Sequence, residues 1–173
     1  MKQIKIVFFC LLLAPMAFMA QESDYSKDVA DYLEHNGTMQ QYEFAYGQLL
    51  KMLEGQFPKD DTNTEGWAYM EEHGNKALEE IKSLLVPIYQ AHFTQDDIRQ
   101  MVTFYKTEAG VLLMNDRSKM TDAHKEELNS FYNTTVGQKI IGKQEVLTAE
   151  ISKVSENWSR ELYETAMSLL KNG

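Results

Sequence analysis

Apolar positions along this chain recur every three or four residues, the spacing of one face of an α-helix. Tyr25, Val29, Tyr32 and Leu33 begin the pattern. Asn36-Gly37 follows as a left-handed stop, and Thr38 with Gln41 predicts a capping box that opens the next helix. Met39, Tyr42, Tyr46, Leu49 and Leu53 then share one face, so the first two helices are expected to form an antiparallel hairpin. Residues 57–65 are polar and turn-rich and read as a loop, with Thr62 and Glu65 as a second capping box. Trp67, Met70, Ala77, Ile81, Leu84, Leu85 and Ile88 predict a third helix, which Pro87 should kink or end near Val86. No alternating Val/Ile/Thr-rich run bounded by turns occurs, so no sheet is expected.

The next pattern is written twice, 27 residues apart. Thr94, Met101, Phe104, Tyr105, Thr107 and Gly110 correspond to Thr121, Leu128, Phe131, Tyr132, Thr134 and Gly137. A duplicated unit of this size implies stacked helices. Thr94 with Asp97 is a capping box, and Phe93 can staple onto Ile98. In the second copy His124 stands where the acid was and Lys125 where the staple partner was, so that helix start should fray. Thr107 and Thr134 are expected to cap new helices just past each Phe-Tyr pair.

From Thr135 to Leu170, Val136, Ile140, Leu147, Ile151, Val154, Trp158, Leu162, Ala166 and Leu169 keep one apolar face. Unbroken, this helix would span roughly 54 Å, so a bend near Gly142 is expected. The predicted fold is all-α. It is a single helical domain over residues 21–173 with about six to seven helices, a tandem helix-turn-helix repeat (94–110 and 121–137) and a long C-terminal helix.

Residues 1–20 read as a secretory signal: Lys2 and Lys5, an apolar run from Ile6 to Leu13, a break at Pro15 and a cleavage point after Ala20. The apolar stretch Ile6 to Phe18 is shorter than the roughly 20 residues of a spanning helix, so no stable membrane insertion is expected after cleavage. Cys10 is no lipid-attachment site, because Phe8 and Phe9 precede it where small residues are needed. Without the signal the chain has no cysteine, which excludes disulfides and thiolate metal sites. Loss of Lys2 and Lys5 takes the formal charge from −9 to −11, which disfavours nucleic acid and anionic lipid as partners.

Candidate chemistry is sparse. The Phe104-Tyr105 and Phe131-Tyr132 pairs could line a groove, but aromatic residues at helical spacing in stacked repeats are expected to bury against each other. Gly110 and Gly137 fit close helix packing better than an anion site, since neither belongs to a Gly-rich phosphate loop. His35, His73, His92 and His124 form no Glu-x-x-His or His-Glu-x-x-His pattern. Glu71, Glu72 and His73 are adjacent, point to different helix faces and read as a solvated surface. There is no Gly-x-Ser-x-Gly elbow. The acidic pairs Asp60/Asp61, Asp96/Asp97 and Glu126/Glu127 sit in loops or helix starts, where acids serve structure. No catalytic residue, metal ligand or cofactor is nominated.

The segment Leu85-Val-Pro87-Ile-Tyr-Gln-Ala-His-Phe93-Thr94, followed by Phe104-Tyr105-Lys-Thr107-Glu-Ala-Gly110, resembles the domain-of-unknown-function 2059 family. The resemblance is strongest over residues 80–140. It implies an all-helical, exported protein of Gram-negative bacteria, hence a periplasmic location, with no established activity and no functional residues to carry over. The family's usual turn has proline where Glu108 stands; glutamate suits a first helical turn through the helix dipole. The expected function is a non-enzymatic binding or protein-interaction module, whose partner is an envelope protein or a second copy. The alternatives are a hydrolase-type envelope enzyme, or a structural homo-oligomer with Trp158 and Leu162 as its seam.

Overall fold

The computed structural model describes residues 14–171, with side chains from residue 24 onward. The signal expected over residues 1–20, with Lys2, Lys5 and Cys10, lies outside the described side chains. Among the described residues there are eight α-helices, one 3₁₀ turn and no strand. They are α1 (Ala14–His35), α2 (Thr38–Gln56), α3 (Thr64–Glu72), α4 (Gly74–His92), α5 (Gln95–Tyr105), α6 (Glu108–Asn115), the 3₁₀ turn Arg117–Lys119, α7 (Asp122–Tyr132) and α8 (Thr135–Lys171).

The count exceeds six or seven because the apolar stripe from Trp67 to Ile88 is two helices, broken at His73. The cause lies in a distant residue. Tyr46 of α2 enters the junction, its hydroxyl donating to the Met70 carbonyl at 2.5 Å. Its ring lies where a Cβ on Gly74 would come within 3.0 Å. Pro87 does not end α4, which continues to His92. Buried Leu85 and Tyr89 flank the proline on a helix packed against both α1 and α8, and tertiary packing outweighs one missing amide.

The helix starts also differ from expectation. Thr38 and Gln41 make no capping box; the Asn36 side chain accepts the Thr38 N–H at 3.0 Å, with Gly37 left-handed at φ 80°. Thr62 and Glu65 make none either, because Asp60 engages the Thr62 N–H at 2.8 Å and its hydroxyl at 2.7 Å. The Thr94–Asp97 box forms. So does one at Thr121, where His124 Nδ1 accepts the Thr121 N–H at 3.2 Å and the Thr121 hydroxyl accepts the His124 N–H at 3.3 Å. An imidazole nitrogen placed as an acceptor does what a carboxylate oxygen does. The second copy is therefore capped, contrary to the fraying predicted for it.

One apolar cluster extends from Val29 to Leu170. α1 packs against α2, α4 and α5, while α8 runs along α3, α4, α5 and α7. α8 is one helix through Gly142, the position at which a bend was expected, and reaches about 55 Å. Its far end approaches α3 so closely that a Cβ on Gly66 would lie 2.9 Å from the Leu169 carbonyl oxygen. Trp158 is turned into this core. Its indole N–H donates to the Ala77 carbonyl at 3.0 Å and its ring meets Tyr42 edge-on at 5.4 Å. The proposed Trp158 and Leu162 seam for a second copy is thus occupied from within. Among the described residues no helix is long and apolar enough to cross a membrane.

Candidate functional site

The two copies of the repeat build the same turn. The Thr107 hydroxyl accepts the Gly110 N–H at 3.2 Å, and the Thr134 hydroxyl accepts the Gly137 N–H at 3.1 Å. A Cβ on Gly110 would stand 2.3 Å from the Phe104 carbonyl oxygen, and one on Gly137 the same 2.3 Å from that of Phe131. Each glycine lets a helix start directly against the end of the one before it. With its amide already taken by threonine, neither offers that N–H to an anion.

These turns bring the Phe-Tyr pairs together. Phe104 and Phe131 stack with centroids 4.0 Å apart and planes 3° from parallel. The Tyr105 and Tyr132 hydroxyls are 3.4 Å apart. The pairs do not share one environment. Phe104 and Tyr105 are buried, whereas Phe131 and Tyr132 are half-buried and α7 has no fully buried residue. The inward packing expected of all four rings is realised only for the first pair, because α7 is held chiefly by α6 and α8.

Two clefts flank the paired rings and share no residue. The wider, about 440 Å³, is lined by Phe104 and Phe131 between Asp96, Arg99 and Glu127. The other, about 310 Å³, has Tyr32, Tyr89, Phe93 and Met101 as its floor and Ile140, Ile141, Leu147 and Ile151 of α8 as its wall. Gln144, Thr148 and Tyr132 complete it. Its lining contains no charged side chain.

The phenols beneath this cleft form a nest. Tyr32 meets Tyr89 at 5.3 Å and Tyr105 at 5.6 Å, both edge-on. Burial, reinforced by these neighbours and opposed by a hydrogen bond with Asn36, pushes the Tyr32 phenol well above its usual range. Burial raises Tyr89 to about 12 despite hydrogen bonds with Thr38 and Asn36. Tyr105 is raised too, by burial first and then by Tyr132. These phenols therefore stay protonated and neutral at physiological pH.

Charged groups lie outside the cleft. Burial alone would raise the Asp97 carboxyl, but the Lys139 ammonium at 2.5 Å and the Thr94 N–H and hydroxyl, both at 2.8 Å, hold it below the usual carboxylate range. The histidines lie apart. His92 meets Glu150 at 2.9 Å, His124 meets Glu108 at 3.5 Å, and His35 and His73 bond the backbone carbonyls of Asp31 and Tyr69. Among the described residues no three His, Cys, Asp or Glu side chains gather as a metal site would require. Asp60 and Asp96 lie apart from this cleft as well.

Sequence reading recovered the repeat residues and missed the cleft. Tyr32 read only as a member of a helical stripe and Tyr89 only as part of the family-like segment 85–94, and the lining is drawn from α1, α4, α5, α7 and α8 and the residue that ends α4. No local spacing signals such a convergence.

The comparisons with known proteins bear on the same region. The family model described as an uncharacterized protein conserved in bacteria, DUF2059, matches residues 79–126 and, in an overlapping segment, residues 117–164. The matched stretch carries both copies of the repeat and reaches farther into α8 than the 80–140 core read from the sequence. Its two segments begin 38 residues apart, not 27, so they do not restate the internal duplication. No curated protein and no solved structure matches the chain. Through residues 79–164 the chain belongs to the DUF2059 family of bacterial proteins.

Proposed function

We propose that the protein is a non-enzymatic binding module of the bacterial envelope. In this reading residues 1–20 direct export and are removed, and residues 21–173 work as one domain in the periplasm of a Gram-negative cell. The observation that carries it is the cleft between the tyrosine nest and α8. A hydrolytic site needs a group that takes up a proton near neutral pH. This lining offers no carboxylate, imidazole or amine. Tyr32 and Tyr89 are two displaced titratable groups, a feature that enzyme pockets often show. Their displacement is upward and caused by burial, so they can hold a ligand by hydrogen bonds but cannot act as bases. The homo-oligomer reading loses support, because its seam at Trp158 lies within the chain.

The test uses chain recovered from osmotic-shock fluid, which should begin at Gln21. p-Nitrophenyl hexanoate should raise its melting temperature and be recovered intact. Release of nitrophenolate that disappears in Tyr132→Phe would make the protein an enzyme and end this reading.

A further inference from the structure

Resting on that binding reading, we infer that the tyrosine-floored cleft takes a small, electrically neutral molecule with an apolar body of about two fused rings and one oxygen. The first reason is charge. A quarter of the chain is Asp, Glu, Lys or Arg, 25%, and the wider cleft is rimmed by Asp96, Arg99 and Glu127. The tyrosine cleft carries none. An ion entering it would lose its water, and the Lys139 ammonium 5.7 Å from the centre of the Phe93 ring is already paired with Asp97, so the lining selects for neutrality.

Size gives the second limit. A cavity of about 150 Å³ admits one benzene ring; this cleft is about 310 Å³, at the lower end of small-molecule sites. Two fused rings fill it and a larger body protrudes.

The oxygen follows from the hydroxyls. Tyr89 bonds Thr38 and Asn36, and Tyr32 bonds Asn36. Tyr132 lines the cleft, and among the described residues its hydroxyl meets that of Tyr105 at 3.4 Å, beyond the roughly 2.5–3.0 Å of a good O–H···O bond. A ligand oxygen within reach gives Tyr132 the partner that Tyr105 does not. Ile141, 52% exposed, stands at the mouth, an apolar side chain whose cost in water falls when a ligand covers it.

Three probes separate these points: naphthalene, 2-naphthol and 2-naphthoate, each titrated at neutral pH against the protein beginning at Gln21. 2-Naphthol should bind about tenfold tighter than 2-naphthoate. That ratio should persist at high salt, where general repulsion by an acidic protein is screened. Tyr132→Phe should weaken 2-naphthol about fivefold and leave naphthalene unchanged. Ile141→Lys, at an exposed position, should weaken 2-naphthol and narrow its advantage over the anion. Equal affinity for the neutral and anionic probes, or a preference that vanishes with salt, overturns the neutral-ligand inference and leaves the binding reading standing. Binding of 2-naphthol that neither substitution alters places it elsewhere and overturns the inference. Failure of all three probes to bind overturns both.

Discussion

In residues 94–110 the capping acid Asp97 is gripped by Lys139, and the Phe104-Tyr105 pair is buried under α1 and its neighbours. In residues 121–137 the equivalent positions carry His124, paired loosely with Glu108, and a half-buried Phe131-Tyr132 pair. The turns themselves coincide to about a tenth of an ångström in the space around Gly110 and Gly137. Local geometry is therefore set by threonine and glycine, while burial is set by what lies across from each copy. α5 has α1 over it; α7 has no comparable cover. Both clefts draw on the second copy, the wider through Glu127, Phe131 and Thr134 and the other through Tyr132.

The sharpest way to break the comparison is to truncate its rings. Phe104→Ala should destabilise the protein by about 3–5 kcal/mol, and Phe131→Ala by roughly half as much, since its ring is already partly in water. Urea unfolding at one temperature would show it, and equal losses would mean the copies are buried alike. Next in size are the turn glycines. Gly110→Ala and Gly137→Ala should each cost about 1–3 kcal/mol, because both new methyls meet a carbonyl oxygen at 2.3 Å. Here equality is expected, and a large difference would show that the turns are not independent of their surroundings.

The smallest effect concerns acid. The folded Asp97 carboxyl lies below its ordinary value of 3.8, so its stabilisation is complete above that pH and is lost as pH falls below it. Asp97→Asn should remove about 1 kcal/mol at neutral pH and flatten the acid limb of the stability curve. A parallel curve, merely shifted, would dismiss the Lys139 and Thr94 pairing as the cause.

What was legible in the sequence was whatever is settled within four residues. The caps at Thr94, Thr107 and Thr134 are hydrogen bonds to an amide three positions on, and they formed. So did the apolar face of α8, although Leu170 is buried more fully than the Leu169 assigned to it. Where a distant group intervened, the pattern misled. Tyr46 splits the third stripe at Gly74, and Asp60 takes Thr62 out of its box. His124 was discounted by residue type, yet its ring nitrogen reaches the amide that an acid would have reached. The cleft had no signal at all, since its floor and its wall meet only when α8 lies down beside α1, α4 and α5.

That arrangement has a consequence for how the molecule is made. α8 follows the other described helices along the chain, yet Ser155 bonds Tyr42 across 113 residues and Leu170 fills a buried place beside α3. Contacts so distant along the chain form slowly and late. Until α8 is in place, the earlier helices lack their closing wall and leave Tyr89, Phe93 and Met101 uncovered on that side. The wall is complete once the last turn of α8 has settled against Gly66.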